Sequence, residues 1–174
     1  MKIEQMTLYD IESDIQRIEA VITTPIFALE NHEHPLRQAA FTELIICLND
    51  LLQKSKSLGV PVTFNDDVVI TKDVSDITDA VNKLRNAICH ISSPLNLLIN
   101  TKDSKIKPVF GILYGKVQAV FVIAGEEMMS SDYEDDLCFT YGNLKLYLRR
   151  HIFRAFDEVK QNLLPLISGD TTLK

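Results

Sequence analysis

Ser75-Asp76-Ile77-Thr78-Asp79-Ala80-Val81-Asn82-Lys83-Leu84-Arg85-Asn86-Ala87-Ile88-Cys89-His90 is the stretch on which the reading of the fold turns. Ile77, Ala80, Val81, Leu84, Ala87 and Ile88 recur at three- and four-residue intervals, the period of a helix with one apolar stripe. Ser75 is a suitable cap, and Asp76 and Asp79 favour the positive end of the helix. The spacing therefore predicts a helix from Ser75 to His90, broken at Ser92-Ser93-Pro94. Ser93 and Pro94 suit the start of a short further helix, Leu95 to Asn100.

Two longer amphipathic stretches precede it. Leu8, Ile11, Ile15, Ile18 and Ile22 form one stripe, with Thr7 as cap and Thr23-Thr24-Pro25 as its end. Leu36, Ala40, Phe41, Leu44, Ile45, Leu48, Leu51 and Leu52 form another, opening near Pro35 and stopping at Gly59 and Pro61. That second helix would be roughly 36 Å long, a length suited to a bundle. A last helix is expected from Leu144 to Leu164, along Leu144, Leu148, Ile152, Ala155, Phe156, Val159 and Leu163, with Pro165 as its stop.

Between the third and last helices the composition changes. Val109 to Tyr114 and Val117 to Ile123 are rich in β-branched and aromatic residues, and Gly115-Lys116 suits a two-residue hairpin turn. A hairpin over 109–123 is expected, then an acidic loop from Glu126 to Asp136 and a third strand at Leu137 to Tyr141. The fold class that follows is mainly α: a bundle of four to five helices in one domain, 1–174, with a small β insertion at about 107–141.

The bulk properties narrow the function. The chain has 174 residues, 46% of them hydrophobic, enough for an ordinary core, and a formal net charge of -6. A protein that coats duplex DNA or an anionic membrane carries the opposite excess, so any nucleic-acid contact is expected to be local. No apolar run approaches membrane-spanning length, and Met1 to Met6 has no apolar core of a leader, so a cytoplasmic protein without membrane contact is expected. Cys47, Cys89 and Cys138 have neither zinc-ligand nor disulfide spacing. His32 and His34 flank Glu33 in a connecting loop without further ligands nearby, and Glu126-Glu127 with Asp132 to Asp136 lack ordered calcium-loop spacing. No metal and no cofactor is expected.

The chemistry concentrates at the end of the third helix. An arginine can grip a phosphate and a histidine can move a proton near neutral pH. Asn86 and His90, four apart, share a helix face, whereas Arg85 and His90 lie about 140° apart around an ideal axis. They converge if the helix distorts near its end or if two copies meet across a dimer. Arg149, Arg150, His151 and Arg154 form a basic cluster on the last helix, and Arg150 and Arg154 are candidate RNA-backbone contacts. Salt bridges to nearby carboxylates are the competing reading of that cluster.

Arg85-Asn86-Ala87-Ile88-Cys89-His90 resembles the signature of the HEPN superfamily: an arginine, a polar residue, then a histidine after four to six intervening positions. Two long helices before the motif helix and one after it resemble the family layout. The resemblance covers the helical frame, roughly 7–92 and 144–164. It implies a metal-independent endoribonuclease, possessed of a composite site at a homodimer interface and acting in phage defence or as a toxin. Arg85 would bind the scissile phosphate, His90 would act as acid or base, and Asn86 would orient the histidine or bond the phosphate. A protein antitoxin or regulator is a further implied partner. Many toxin members carry a tyrosine two residues after the histidine; here that position is Ser92. The family also contains non-catalytic dimers that bind or scaffold, which is the alternative function.

Overall fold

The computed structural model describes residues 4–90, 99–100, 105–106, 110–123, 126–141 and 144–167. Among them the protein is mainly helical, with four α-helices and a small three-stranded antiparallel sheet. The chain divides into two compact units, 1–64 with 153–174, and 65–152.

The first unit is built from α1 (Gln5–Ile22), α2 (Arg37–Ser57) and α4 (Arg154–Ile167), with 3₁₀ turns at Pro25–Phe27 and Leu29–Asn31. Its three helices pack on one another through the apolar stripes. Ile11, Ile15 and Ile18 of α1 are buried, as are Phe41, Leu44, Ile45, Leu48, Leu51 and Leu52 of α2, and Phe156, Val159 and Leu163 of α4. Gly59 stops α2 as expected. With φ at +82°, it adopts a left-handed conformation in which its own amide bonds the Lys56 carbonyl at 3.2 Å, and the Val60 amide bonds the Ser55 carbonyl at 3.0 Å. That pair of bonds satisfies carbonyls that the helix end would leave open.

Three boundaries in this unit differ from expectation. The first helix begins at Gln5, with Thr7 inside its first turn rather than capping it. The second starts at Arg37, two residues after Pro35, behind a turn held by the Arg37 amide on the His34 carbonyl. Pro165 lies inside α4 rather than ending it, and the helix continues to Ile167 at the expense of one amide donor.

The second unit holds α3 (Ile77–Cys89) and all the strands: β1 (Ile99–Asn100), β2 (Lys105–Ile106), β3 (Phe110–Tyr114), β4 (Phe121–Ile123), β5 (Glu126–Met128), β6 (Leu137–Tyr141) and β7 (Leu144–Tyr147). The main sheet has the order β3-β6-β7. Its central strand, β6, is buried from Leu137 through Thr140, as a strand covered on both faces should be.

The hairpin expected over 109–123 is not formed. β3 pairs with β6 instead, Ile112 opposite Phe139, while β4 pairs with β5, Phe121 opposite Met128. Gly115 does take a left-handed conformation, φ +68°, but its amide bonds the Asp136 carbonyl at 3.2 Å. The chain thus leaves the sheet at Gly115 and returns at Asp136. Val117 bridges Ser131 on the way, so the acidic segment at 126–136 supplies a strand and a bridge rather than only a loop. Gly111 is needed where this excursion folds back, because a Cβ there would meet the Met129 side chain and lie 2.6 Å from Thr140 Oγ1.

The last helix also starts later than Leu144. Residues 144–147 are β7, with Leu144 and Leu146 buried on either side of Lys145, the two-residue period of a strand. π-helical turns at Leu148–Phe153 follow, leading into α4. The β region therefore runs from Ile99 to Tyr147, wider than 107–141. Of the short helix expected over 95–100, residues 95–98 lie outside the described residues, and Ile99 and Asn100 are strand.

Candidate functional site

α3 starts at Ile77, two residues later than expected. Asp76, not Ser75, caps it, accepting the Asp79 amide at 2.9 Å, while the Ser75 hydroxyl donates to Asp79 Oδ2 at 2.6 Å. Ile77, Ala80, Val81, Leu84 and Ala87 face the interior. That stripe sets the azimuth of the polar residues between them.

At the other end, Arg85 is half-buried and Asn86 exposed. Arg85 Nη1 donates to Asn86 Oδ1 at 3.0 Å, and Asn86 Nδ2 donates to Asn82 Oδ1 at 3.3 Å. Arg85 Nε is buried and has no hydrogen-bond partner among the described residues. His90 is exposed at the helix C-cap, its amide on the Asn86 carbonyl at 3.0 Å and its backbone at φ -123°, ψ 53°. The helix unwinds there, so the ideal 140° offset from Arg85 does not apply to His90. Arg85 and Asn86 are joined side chain to side chain; Asn82, which the motif does not include, joins them.

Three members of the basic cluster, Arg150, His151 and Arg154, are engaged within the fold. Asp136 is buried and its carboxylate accepts four hydrogen bonds. Oδ1 takes the amides of Leu137 at 2.8 Å and Arg149 at 3.0 Å; Oδ2 takes the Arg150 amide and Arg150 Nη1, each at 3.1 Å. The carboxylate thus caps the open amides at the start of the π-helical turns. Arg150 also bonds Asp135 at 2.9 Å and lies 3.9 Å over the Tyr133 ring. Arg154 bonds Glu158 at 2.8 Å and lies 3.8 Å over the Phe64 ring. Neither candidate RNA contact offers an uncommitted charge.

His151 is fully buried. Its Nδ1 accepts the Tyr147 amide at 3.2 Å, which puts the ring proton on Nε2, 3.1 Å from the Asp66 carbonyl that accepts it. Tyr147 bonds Asp132 twice: its hydroxyl donates to Oδ2 at 2.7 Å and accepts the Asp132 amide at 3.0 Å. The bond from the Tyr147 hydroxyl, more than Lys145 nearby, holds the Asp132 carboxyl below its usual range.

Sequence reasoning missed a charged seam between α1 and α2. Asp14 is buried beside Lys54 at 3.4 Å and Arg17 at 3.3 Å, and Arg17 Nε donates to Glu43 at 2.7 Å. Burial raises the Asp14 carboxyl above its usual value. Burial also pushes the neighbouring Cys47 thiol, and Cys138 in the sheet, up to about 12, which removes both as nucleophiles near neutral pH. Asp14 and Arg17, three apart on one helix, with Glu43 and the i,i+4 pair Asp50–Lys54 on the next, were the available signal. His32 and His34 hold turns: His32 Nδ1 lies 3.1 Å from the Leu29 carbonyl, and His34 Nδ1 accepts the Leu36 amide at 3.2 Å. Among the described residues no group of three or more histidine, cysteine or acidic side chains is arranged to hold a metal ion. Nor, among them, is any helix long and apolar enough to cross a membrane.

Comparison with protein-family models, with curated proteins and with solved structures finds no match for this chain.

Proposed function

We propose that the protein is a metal-independent endoribonuclease of the HEPN type, working as a homodimer through Arg85 and His90 at the end of α3. The observation that carries this reading is the state of Arg85. Its guanidinium is steered by Asn86, while its buried Nε–H has no acceptor among the described residues. An unsatisfied buried donor costs about 1–3 kcal/mol, a cost that an arriving phosphate oxygen would relieve. His90 lies exposed one turn beyond Asn86, where a ring can reach a substrate proton.

In this mechanism the ribose 2′-oxygen attacks the adjacent phosphorus and the 5′-oxygen leaves. One proton departs from the 2′-hydroxyl and one is delivered to the 5′-oxygen. His90, contributed by each protomer, serves as base or acid for these transfers. Arg85 stabilises the extra negative charge on the phosphoryl oxygens as the fifth bond forms. Asn86 holds the guanidinium in position. A toxin or phage-defence role, with a protein antitoxin or regulator, belongs to the same reading through the resemblance of the motif.

The test is incubation of the purified chain with RNA in EDTA, with analysis of product ends. Expected products carry a 2′,3′-cyclic phosphate and a 5′-hydroxyl, and an RNA with 2′-deoxyribose at the mapped cleavage site resists. Light scattering should report a dimer at tens of micromolar. Cleavage of the deoxy-substituted RNA contradicts the mechanism. Binding of RNA without cleavage would favour the non-catalytic dimer.

A further inference from the structure

The three polar side chains on the outer face of α3 form a relay whose direction is dictated by chemistry. A guanidinium has donors and no acceptor, so Asn86 must turn its oxygen toward Arg85 Nη1. That leaves the Asn86 NH₂ group pointing back along the helix. The only group able to meet it is an acceptor, and Asn82 Oδ1 lies 3.3 Å from Asn86 Nδ2, one helical turn earlier. Asn82, with its own amide oxygen turned to Asn86, therefore reinforces the orientation of the Asn86 amide, oxygen toward Arg85, that the guanidinium requires. In the other orientation, two donors would face each other and Arg85 would lose its guide.

We propose that Asn82 is a positioning residue for Arg85, acting through Asn86. It touches no substrate atom. Its contribution is the fraction of molecules in which the guanidinium already points where a phosphoryl oxygen must bind, a preorganisation effect. This rests on the reading of Arg85 as the phosphate-binding group. The size of the effect follows from the setting. Asn86 is exposed and Asn82 half-exposed, so their bond competes with water. Losing one neutral hydrogen bond there lowers the oriented fraction by about threefold to tenfold.

The experiment compares wild type, Asn82→Ala and Asn82→Asp in two measurements. Steady-state cleavage of RNA in EDTA reports kcat and KM. Nitrogen-15 spectra report the Asn86 side-chain amide and the buried Arg85 Nε–H. Asn82→Ala should lower kcat about threefold to tenfold and shift both signals. Asn82→Asp keeps an acceptor, so both signals and kcat should stay close to wild type. Its added negative charge near the phosphate should instead raise KM. A wild type that cleaves nothing sinks the nuclease reading and, with it, any role of Asn82 in cleavage. A cleaving wild type matched by Asn82→Ala in kcat and in both signals overturns this inference alone.

Discussion

The helical unit and the strand-containing unit are held together by different means. In the first, apolar stripes of α1, α2 and α4 meet, and charged pairs join α1 to α2 along their seam. In the second, buried side-chain hydrogen bonds fix the backbone itself: Asp136 caps the π-helical turns, and His151 ties the Tyr147 amide to the Asp66 carbonyl. Stability carried by area burial is spread over many residues, each worth a few kcal/mol. Stability carried by a carboxylate with four donors sits in one residue, and removing it orphans every donor at once.

The comparison breaks most readily at Asp136. Asp136→Ala should cost about 3–5 kcal/mol in chemical denaturation, because it leaves three amides without their acceptor and takes from Arg150 the buried one of its two carboxylates. A loss below 1 kcal/mol would show that water replaces the carboxylate and that the two units do not differ as described. In the helical unit, Leu48→Ala should cost about 2–5 kcal/mol through the cavity it leaves, whereas Arg17→Ala on the seam should cost about 1 kcal/mol or less.

Acid sharpens the contrast, since two aspartates respond in opposite directions. Asp132 is held below its ordinary value of 3.8 by the Tyr147 hydroxyl. Its contribution is present above pH 3.8 and lost as pH falls through its lower folded value. The stability gap between wild type and Tyr147→Phe should therefore narrow on acidification below pH 3.8. Asp14 is raised above 3.8 by burial, so its contribution is fullest below that value and declines as pH rises through the folded value. Wild type should lose ground to Asp14→Asn over that rise. Parallel pH profiles for the two pairs would contradict the assignment. At Gly59, Gly59→Ala should cost about 1 kcal/mol, the strain of a left-handed alanine in otherwise open space.

The same contrast explains what could be read in advance. An apolar stripe is written into adjacent residues, so α1, α2, α3 and the Gly59 stop were legible. β6 was legible as the short run Leu137–Tyr141. Its partners were not. Pairing Phe110–Tyr114 with Leu137–Tyr141 spans an excursion that starts at a glycine suited equally to a tight turn. Leu144, Leu148 and Ile152 fit a helical period, and only the alternation Leu144-Lys145-Leu146 marks the strand. At the candidate site, the motif drew attention to Arg85, Asn86 and His90. Asn82 was open to the same four-residue arithmetic but carries no charge to draw notice. For Arg150 and Arg154, the carboxylates and rings that occupy them come from both near and distant residues, and composition cannot show such pairing.

The central claim is that the end of α3 carries a proton-transfer histidine beside a phosphate-binding arginine. Single-turnover cleavage of RNA in EDTA by His90→Ala, with circular dichroism matched to wild type, tests it most directly. The predicted result is a rate reduced about 10²-fold or more, the usual worth of a general acid or base. A folded His90→Ala protein that cleaves at the wild-type rate would contradict it.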